Sequence, residues 1–298
     1  MNILLIGHEG YLGRGLYSFL SKKNNVIGWG RKQDILSLNQ EVIIKNKIDA
    51  VVNCATIADK ANKTFKINDQ SYKVNVAGMH NLVNALQDLD VKLVYISTKD
   101  VFGNCVKESD VVEKKDYYFL KRFIDDSQPF APETAYSKTK LIGELISECV
   151  PKSIVIRLST CYTDFDSSKG NWITSIIKNY LKGEKIRVNN KGKQVRDVLH
   201  VDDLGRLIQL FLDSNHYGKK INAGGGNSNL ISILQFIRML DPNIEIENME
   251  GGDYGFAFNN HQAKELFGWS PQEVFKEKLP KIIENIKNTF YSIKNTEE

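Results

Sequence analysis

The sequence predicts an α/β fold, a doubly wound parallel sheet with a smaller C-terminal lobe, and three observations carry that prediction. Short apolar runs recur at residues 3–6, 26–29, 50–53, 93–97 and 154–158. Each is too short for a buried helix and too uniformly apolar for a sheet with one wet face. Longer amphipathic stretches separate them, the pattern of parallel strands joined by helical crossovers. A glycine-rich segment, GHEGYLG, follows the first run directly and opens the first helix.

Taken in order, the first run ends in those glycines and the second in Gly30-Arg31-Lys32. The stretch 71–89 carries Val74, Met79, Leu82, Val83 and Leu86 at helical spacing and reads as a core helix without chemistry. Residues 104–129 are charged and aromatic with no clean period, an irregular excursion of a length that usually serves function or moves. After Ser159 the alternation loosens, and Gly- and Asn-rich turns at 224–229 and 251–255 mark a second lobe. There 195–201 reads as a strand, 203–213 as a helix and 220–222 as a last strand of the main sheet. The closing KNTEE is expected to fray.

Composition narrows the class. Of 298 residues, 42% are hydrophobic and 26% charged, which excludes disorder and supports a sizeable core. The net charge of +4 is scattered, whereas nucleic-acid binding needs a concentrated basic stripe. No segment approaches the roughly 20 apolar residues that cross a bilayer. Cys54, Cys105, Cys149 and Cys161 form no CxxC pair and the opening MNILLIG lacks a basic leader, so reduced thiols and a cytoplasmic location are expected. His8, His80, His200, His216 and His261 show no metal spacing, and no metal site is expected.

Gly7, Gly10 and Gly13 sit where a tight turn lets a pyrophosphate approach backbone N–H groups at a helix N-terminus. The second strand ends without the acid that meets an unphosphorylated ribose; Arg31 and Lys32 there favour a 2′-phosphate, hence NADP(H), with NAD(H) as the alternative. Tyr136 and Lys140 lie four apart at the start of a helix, which places phenol and ammonium on one face. The lysine charge is expected to lower the phenol pKa and make it a proton donor or acceptor. Thr98, at the end of the fourth strand, supplies a hydroxyl at the sheet edge where ligands bind, with Ser97 as the nearby alternative.

These residues resemble the extended short-chain dehydrogenase/reductase family, of the NAD-dependent epimerase/dehydratase type that acts on nucleotide-diphosphate sugars. GHEGYLG, IDAVVNCATIADKA, VNVAGMHNLVNAL, VYISTKDVFG and AYSKTKLIGE are most similar to dTDP-4-dehydrorhamnose reductase. VRDVLHVDDL, NAGGGNSNLIS and AKELFGWSP are more similar to nucleotide-sugar epimerases. The resemblance covers nearly the whole chain. It implies a Rossmann dinucleotide-binding domain of residues 1–162 plus about 195–223, and a substrate-binding lobe of about 163–194 and 224–298.

Residue by residue, it implies Gly7, Gly10, Tyr11, Leu12 and Gly13 at the pyrophosphate and Arg31, Asp34 and Ile35 near the adenosine. Thr98, Tyr136 and Lys140 form the catalytic set, the last two also on the cofactor. Thr98, Asn171 and Arg196 bind the sugar nucleotide, Arg196 through its diphosphate, and Asn75 is a structural helix asparagine. His200-Val201-Asp202-Asp203 corresponds to a strand end followed by an aspartate helix cap.

Two departures stand out. Lys99-Asp100 replaces the Asp-Glu of 4,6-dehydratases, which argues against dehydration, and the rhamnose-type reductase also has an acid at position 99. Gly251-Gly252-Asp253 stands where many relatives place a second diphosphate arginine, leaving Arg196 with help from Lys191 or Lys193. The expected activity is reduction of a 4-keto-6-deoxy sugar. An epimerase with retained NAD(P) and a non-catalytic regulatory subunit are the alternatives, and a homodimer is compatible with each.

Overall fold

The computed structural model describes residues 1–165 and 171–297. The chain opens with β1 (Asn2–Ile6), turns into α1 (Tyr11–Leu20), and continues through β2 (Asn25–Trp29), α2 (Gln40–Lys45) and β3 (Ala50–Asn53). The helix expected over 71–89 is a composite of α3 (Gln70–Tyr72), a π-turn (Lys73–Ala77) and α4 (Gly78–Leu86). A π-turn adds a residue and shifts the register of the helical turns after it. Here it holds Asn75, which donates to the Ile57 carbonyl and Thr139 Oγ1 and accepts from the Ile57 N–H at 2.9–3.0 Å.

β4 (Lys92–Thr98) precedes the excursion, and the excursion is not irregular throughout. It folds a hairpin of β5 (Val111–Glu113) and β6 (Tyr118–Leu120). Three-residue strands leave no readable period, and this pair is held from outside. The Tyr118 N–H donates to the Lys193 carbonyl at 2.9 Å, and Ser232 Oγ donates to the Asp116 carbonyl at 2.6 Å.

α5 (Ala135–Ser147), β7 (Ser153–Leu158), β8 (Thr160–Tyr162), α6 (Trp172–Lys182), β9 (Ile186–Asn189), β10 (Val195–His200), α7 (Val201–Leu212) and β11 (Lys219–Ala223) come next along the chain. The chain closes with β12 (Leu230–Ser232), α8 (Ile233–Leu240), β13 (Ile246–Met249), β14 (Gly255–Phe256), α9 (His261–Phe267) and α10 (Phe275–Glu297). The backbone of α10 thus runs through most of the stretch expected to fray; residue 298 lies outside the described residues.

The main sheet is parallel, in the order β11-β7-β4-β3-β1-β2. Alternation along β1 feeds both faces. Ile3 and Leu5 join Leu16, Leu20, Leu204, Ile208 and Phe211 from α1 and α7, while Leu4 and Ile6 join Ile43, Met79, Leu82 and Leu86 from α2 and α4. Residues 220–222 do return as a strand, β11, against β7. Strand order reverses between β1 and β3, which opens a crevice at their carboxyl ends.

Beyond β7, strand β10 pairs with β8, β12 and β14, and β9 with β13. Tyr162, Ile173, Ile177, Phe236, Phe275 and Ile282 form a separate core there. One expectation is corrected in this region: α7 begins at Val201 and its cap is His200, whose Nδ1 accepts the Asp202 N–H at 3.2 Å. Asp203 is instead buried and accepts the Gln272 and Glu273 N–H groups, tying the segment before α10 to α7. No helix among the described residues is long and apolar enough to cross a membrane.

Candidate active site

β4 delivers Ser97 and Thr98 to opposite faces, as strand alternation requires. Ser97 Oγ turns inward and donates to Glu144, so it is spent in the core. Thr98 caps the short turn Lys99–Phe102, its Oγ1 accepting the Asp100 N–H at 3.2 Å. Its side chain also lies close enough to the Tyr136 phenol to draw that phenol's pKa down, so the threonine and tyrosine expected to act together do meet.

α5 positions the tyrosine and lysine. Thr134 and Ser137 form a reciprocal cap that fixes the helix start at Ala135, one residue before Tyr136. Lys140, one turn on, is 2% exposed, with its ammonium 4.0 Å from the centre of the Tyr95 ring. Burial pulls its pKa down to about 7, against the opposing charges of Glu144 and Cys54.

The expectation that Lys140 lowers the phenol pKa is corrected. Burial and then the Asp100 carboxylate push Tyr136 above the usual tyrosine range, with only the Thr98 side chain opposing. The cation against the phenol ring is Lys60, 5.2 Å from its centroid.

Asp100 is the hub of a charge cluster. Burial alone would raise its pKa, but Lys99 at 3.0 Å and Lys60 at 2.6 Å hold it well below the usual carboxylate range. Lys60, Lys99 and Asp100 line an open cleft together with Ser137, Asp253 and Phe256.

The glycine-rich turn fits a dinucleotide on its own geometry. Gly7 adopts φ 85°, and a Cβ on Gly13 would run into the Gly7 carbonyl, so both positions demand glycine. α1 has neither a side-chain cap on Gly10 nor an acid in its first turn, which leaves the N–H groups at Tyr11, Leu12 and Gly13 for an anion. The Tyr11 hydroxyl accepts the Thr163 N–H at 3.1 Å.

At the end of β2 the sequence reading missed a residue. Arg31 and Lys32 are exposed there, and Glu9 from the glycine turn folds across and accepts the Arg31 N–H at 2.9 Å. A Cβ on Gly30 would strike its carboxylate. The acid sought on β2 therefore arrives from a loop adjacent only in space. Asp34 caps the short turn Ile35–Ser37 that buries Ile35.

The chain beyond β7 supplies fewer of the expected contacts. Arg196 grips Asp253 through two hydrogen bonds, 2.6 Å from Nη1 and 2.9 Å from Nη2. Lys193 is taken by Glu113 at 2.6 Å. Asn171 spends its amide on structure, donating to the Cys161 carbonyl and capping α6 at the Ile173 N–H. His200, Asp202 and Glu273 offer ligand atoms within 4.8 Å of one another. His200 already uses both ring nitrogens, on the Asp202 N–H and on Asp164 at 3.1 Å, so a cation would have to displace existing bonds.

Comparison with known proteins adds to this geometry. The family model described as NAD dependent epimerase/dehydratase family matches residues 3–224. UDP-glucuronic acid decarboxylase 4 of Arabidopsis thaliana is 20% identical, covering 98% of this chain and 70% of its own. dTDP-glucose 4,6-dehydratase of Mycobacterium tuberculosis is 25% identical over 216 residues, covering 69% of this chain and 62% of its own. Among solved structures, UDP-glucuronic acid 4-epimerase from Bacillus cereus, in complex with UDP-glucuronic acid and NAD, superposes with a TM-score of 0.80. It is 21% identical and covers 97% of this chain and 100% of its own, a likeness that shows the fold.

Proposed function

Because the chain belongs to the NAD dependent epimerase/dehydratase family, we propose that it is a nucleotide-sugar epimerase. On this reading it oxidises one carbon of a nucleotide-diphosphate sugar and reduces it again on the other face. The nicotinamide ring supplies the hydride acceptor and donor. Tyr136, in its phenolate form, takes the proton from the sugar hydroxyl and as the neutral phenol later returns it, and Thr98 holds that oxygen in line. Lys140 anchors the ribose, and Lys60 supplies positive charge against the phenol.

One observation carries the choice of epimerisation over dehydration. Eliminating water needs a free acid and a free base beside the keto carbon, and the carboxylate that acts on Tyr136, Asp100, is bound by two ammonium groups. A carboxylate so stabilised is a weak base. This supports epimerisation even though matched relatives include dehydratases.

Reduction of a 4-keto-6-deoxy sugar with NADPH is the second reading, and Arg31 with Lys32 favours it. Against it stands Glu9, whose charge at the same place supports NAD(H). One experiment separates the two: the purified protein is assayed for bound nicotinamide and then given UDP-glucose, UDP-glucuronic acid and a dTDP-4-keto-6-deoxy sugar. The expected outcome is isomerisation without net consumption of nicotinamide. Stoichiometric oxidation of NADPH would establish the reductase instead, and inertness toward the whole panel would overturn both.

A further inference from the structure

Arg196 is the one arginine offered for a diphosphate, yet its planar fork already holds a carboxylate in the manner it would hold a phosphate. The Arg196 side chain is 17% exposed and that of Asp253 36%. Burial would raise the pKa of Asp253, but Arg196 first and Lys99 after it keep it below the ordinary range. Asp253 lies in the loop between β13 and β14, beside the cleft that also receives Lys99 and Asp100. The groups form one alternating series, Lys60, Asp100, Lys99, Asp253, Arg196, in which Lys99 stands between the two carboxylates. Three cations share two anions.

Resting on the reading that Arg196 receives the substrate diphosphate, we propose that Asp253 is a displaceable counter-ion that sets the charge the site accepts. A diphosphate, with more negative charge and more acceptor oxygens than a carboxylate, takes the Arg196 fork, and Asp253 passes to Lys99. A monophosphate competes with Asp253 on nearly equal terms and gains little. Asp253 thus tunes the site to diphosphates by opposing weaker anions. Lys99, which replaces an acid found in dehydratases, gains a reason to be a base: it receives the released carboxylate.

The test measures UDP and UMP binding to the full-length protein carrying its cofactor, by calorimetry, for parent, Asp253→Asn, Lys99→Met and Arg196→Ala. Asp253→Asn is expected to bind UMP at least tenfold more tightly and to narrow the UDP-to-UMP preference. Lys99→Met is expected to weaken UDP several-fold, because the displaced carboxylate then has no cation. Unchanged or weaker UMP binding in Asp253→Asn, with thermal unfolding like the parent's, would overturn the proposal. If instead Arg196→Ala leaves UDP affinity intact, the diphosphate reading itself fails. Loss of UDP binding in Arg196→Ala beside a flat Asp253→Asn result sinks the counter-ion role alone. Asp253→Ser repeats the measurement should the asparagine re-form a bond to Arg196.

Discussion

Glu144 on α5 and Arg157 on β7 form a two-pronged ion pair at 2.8–3.1 Å, each side chain 1% exposed. Lys140 sits one helical turn before Glu144, and the stacked Phe102 and Phe130 rings lie against the guanidinium at 5.1 and 4.9 Å. The helix that presents Tyr136 is therefore clamped to the central sheet by charge as well as by apolar contact. Glu144→Gln leaves Arg157 buried without its anion, and about 3–5 kcal/mol of stability should be lost. Urea unfolding measures this, and a double variant with Arg157→Met should recover much of the loss. A Glu144→Gln protein as stable as the parent would show that the clamp is dispensable.

Tyr136→Phe removes the proton carrier and leaves the ring. Turnover should fall about 10²–10⁴-fold, while cofactor affinity and the unfolding midpoint stay near parental values. Turnover similar to the parent's would place the acid–base group elsewhere.

Lys140 carries a pH signature. Its folded pKa of about 7 lies below its ordinary 10.5, so between those values the unfolded chain holds more protons. Stability from this group then rises with pH across that window, and the burial cost is largest below pH 7. Lys140→Met should be more stable than the parent at pH 6, by about 1–4 kcal/mol, with the advantage shrinking toward pH 10. Cofactor binding should move oppositely: the parent should lose affinity as pH rises through 7, and the variant should bind weakly and evenly. Parallel stability curves for the two proteins would refute this account.

Glu9→Gln tests the cofactor. Two like charges about 4 Å apart repel by about 1 kcal/mol in water, so the variant should bind NADPH roughly fivefold more tightly with NADH little changed. Arg31→Ala should weaken NADPH in the parent background. An unaltered NADH-to-NADPH ratio in Glu9→Gln would show that the carboxylate does not face the 2′ position.

The strands of the main sheet were legible because doubly buried parallel strands write continuous apolar runs, as at 50–53 and 154–158. The placement of Thr98 at a strand end and of Tyr136 and Lys140 one turn apart on α5 was legible because helical spacing and strand ends fix positions locally. The features that escaped notice depended on partners distant in the chain. Glu9 reaches the end of β2 from another loop, Asp253 occupies Arg196 across a gap that no spacing encodes, and Lys140 sits over Tyr95 rather than tuning Tyr136. The β5–β6 hairpin escaped because its strands are short and its anchors, Lys193 and Ser232, lie far along the chain from it. His200 took the cap expected of an aspartate because Asp203 was needed at residues 272–273.

The six-stranded sheet is completed late in synthesis. β11 covers the outer edge of β7, yet residues 159–218 must be made between the two. At about 5–20 residues per second, a nascent chain exposes that apolar edge for roughly 3–12 seconds before its partner emerges. An uncovered strand edge is a template for intermolecular pairing. Fragments ending before Ala223 should therefore be prone to aggregate however well their first strands pair, and chaperone capture on the ribosome should peak in that interval.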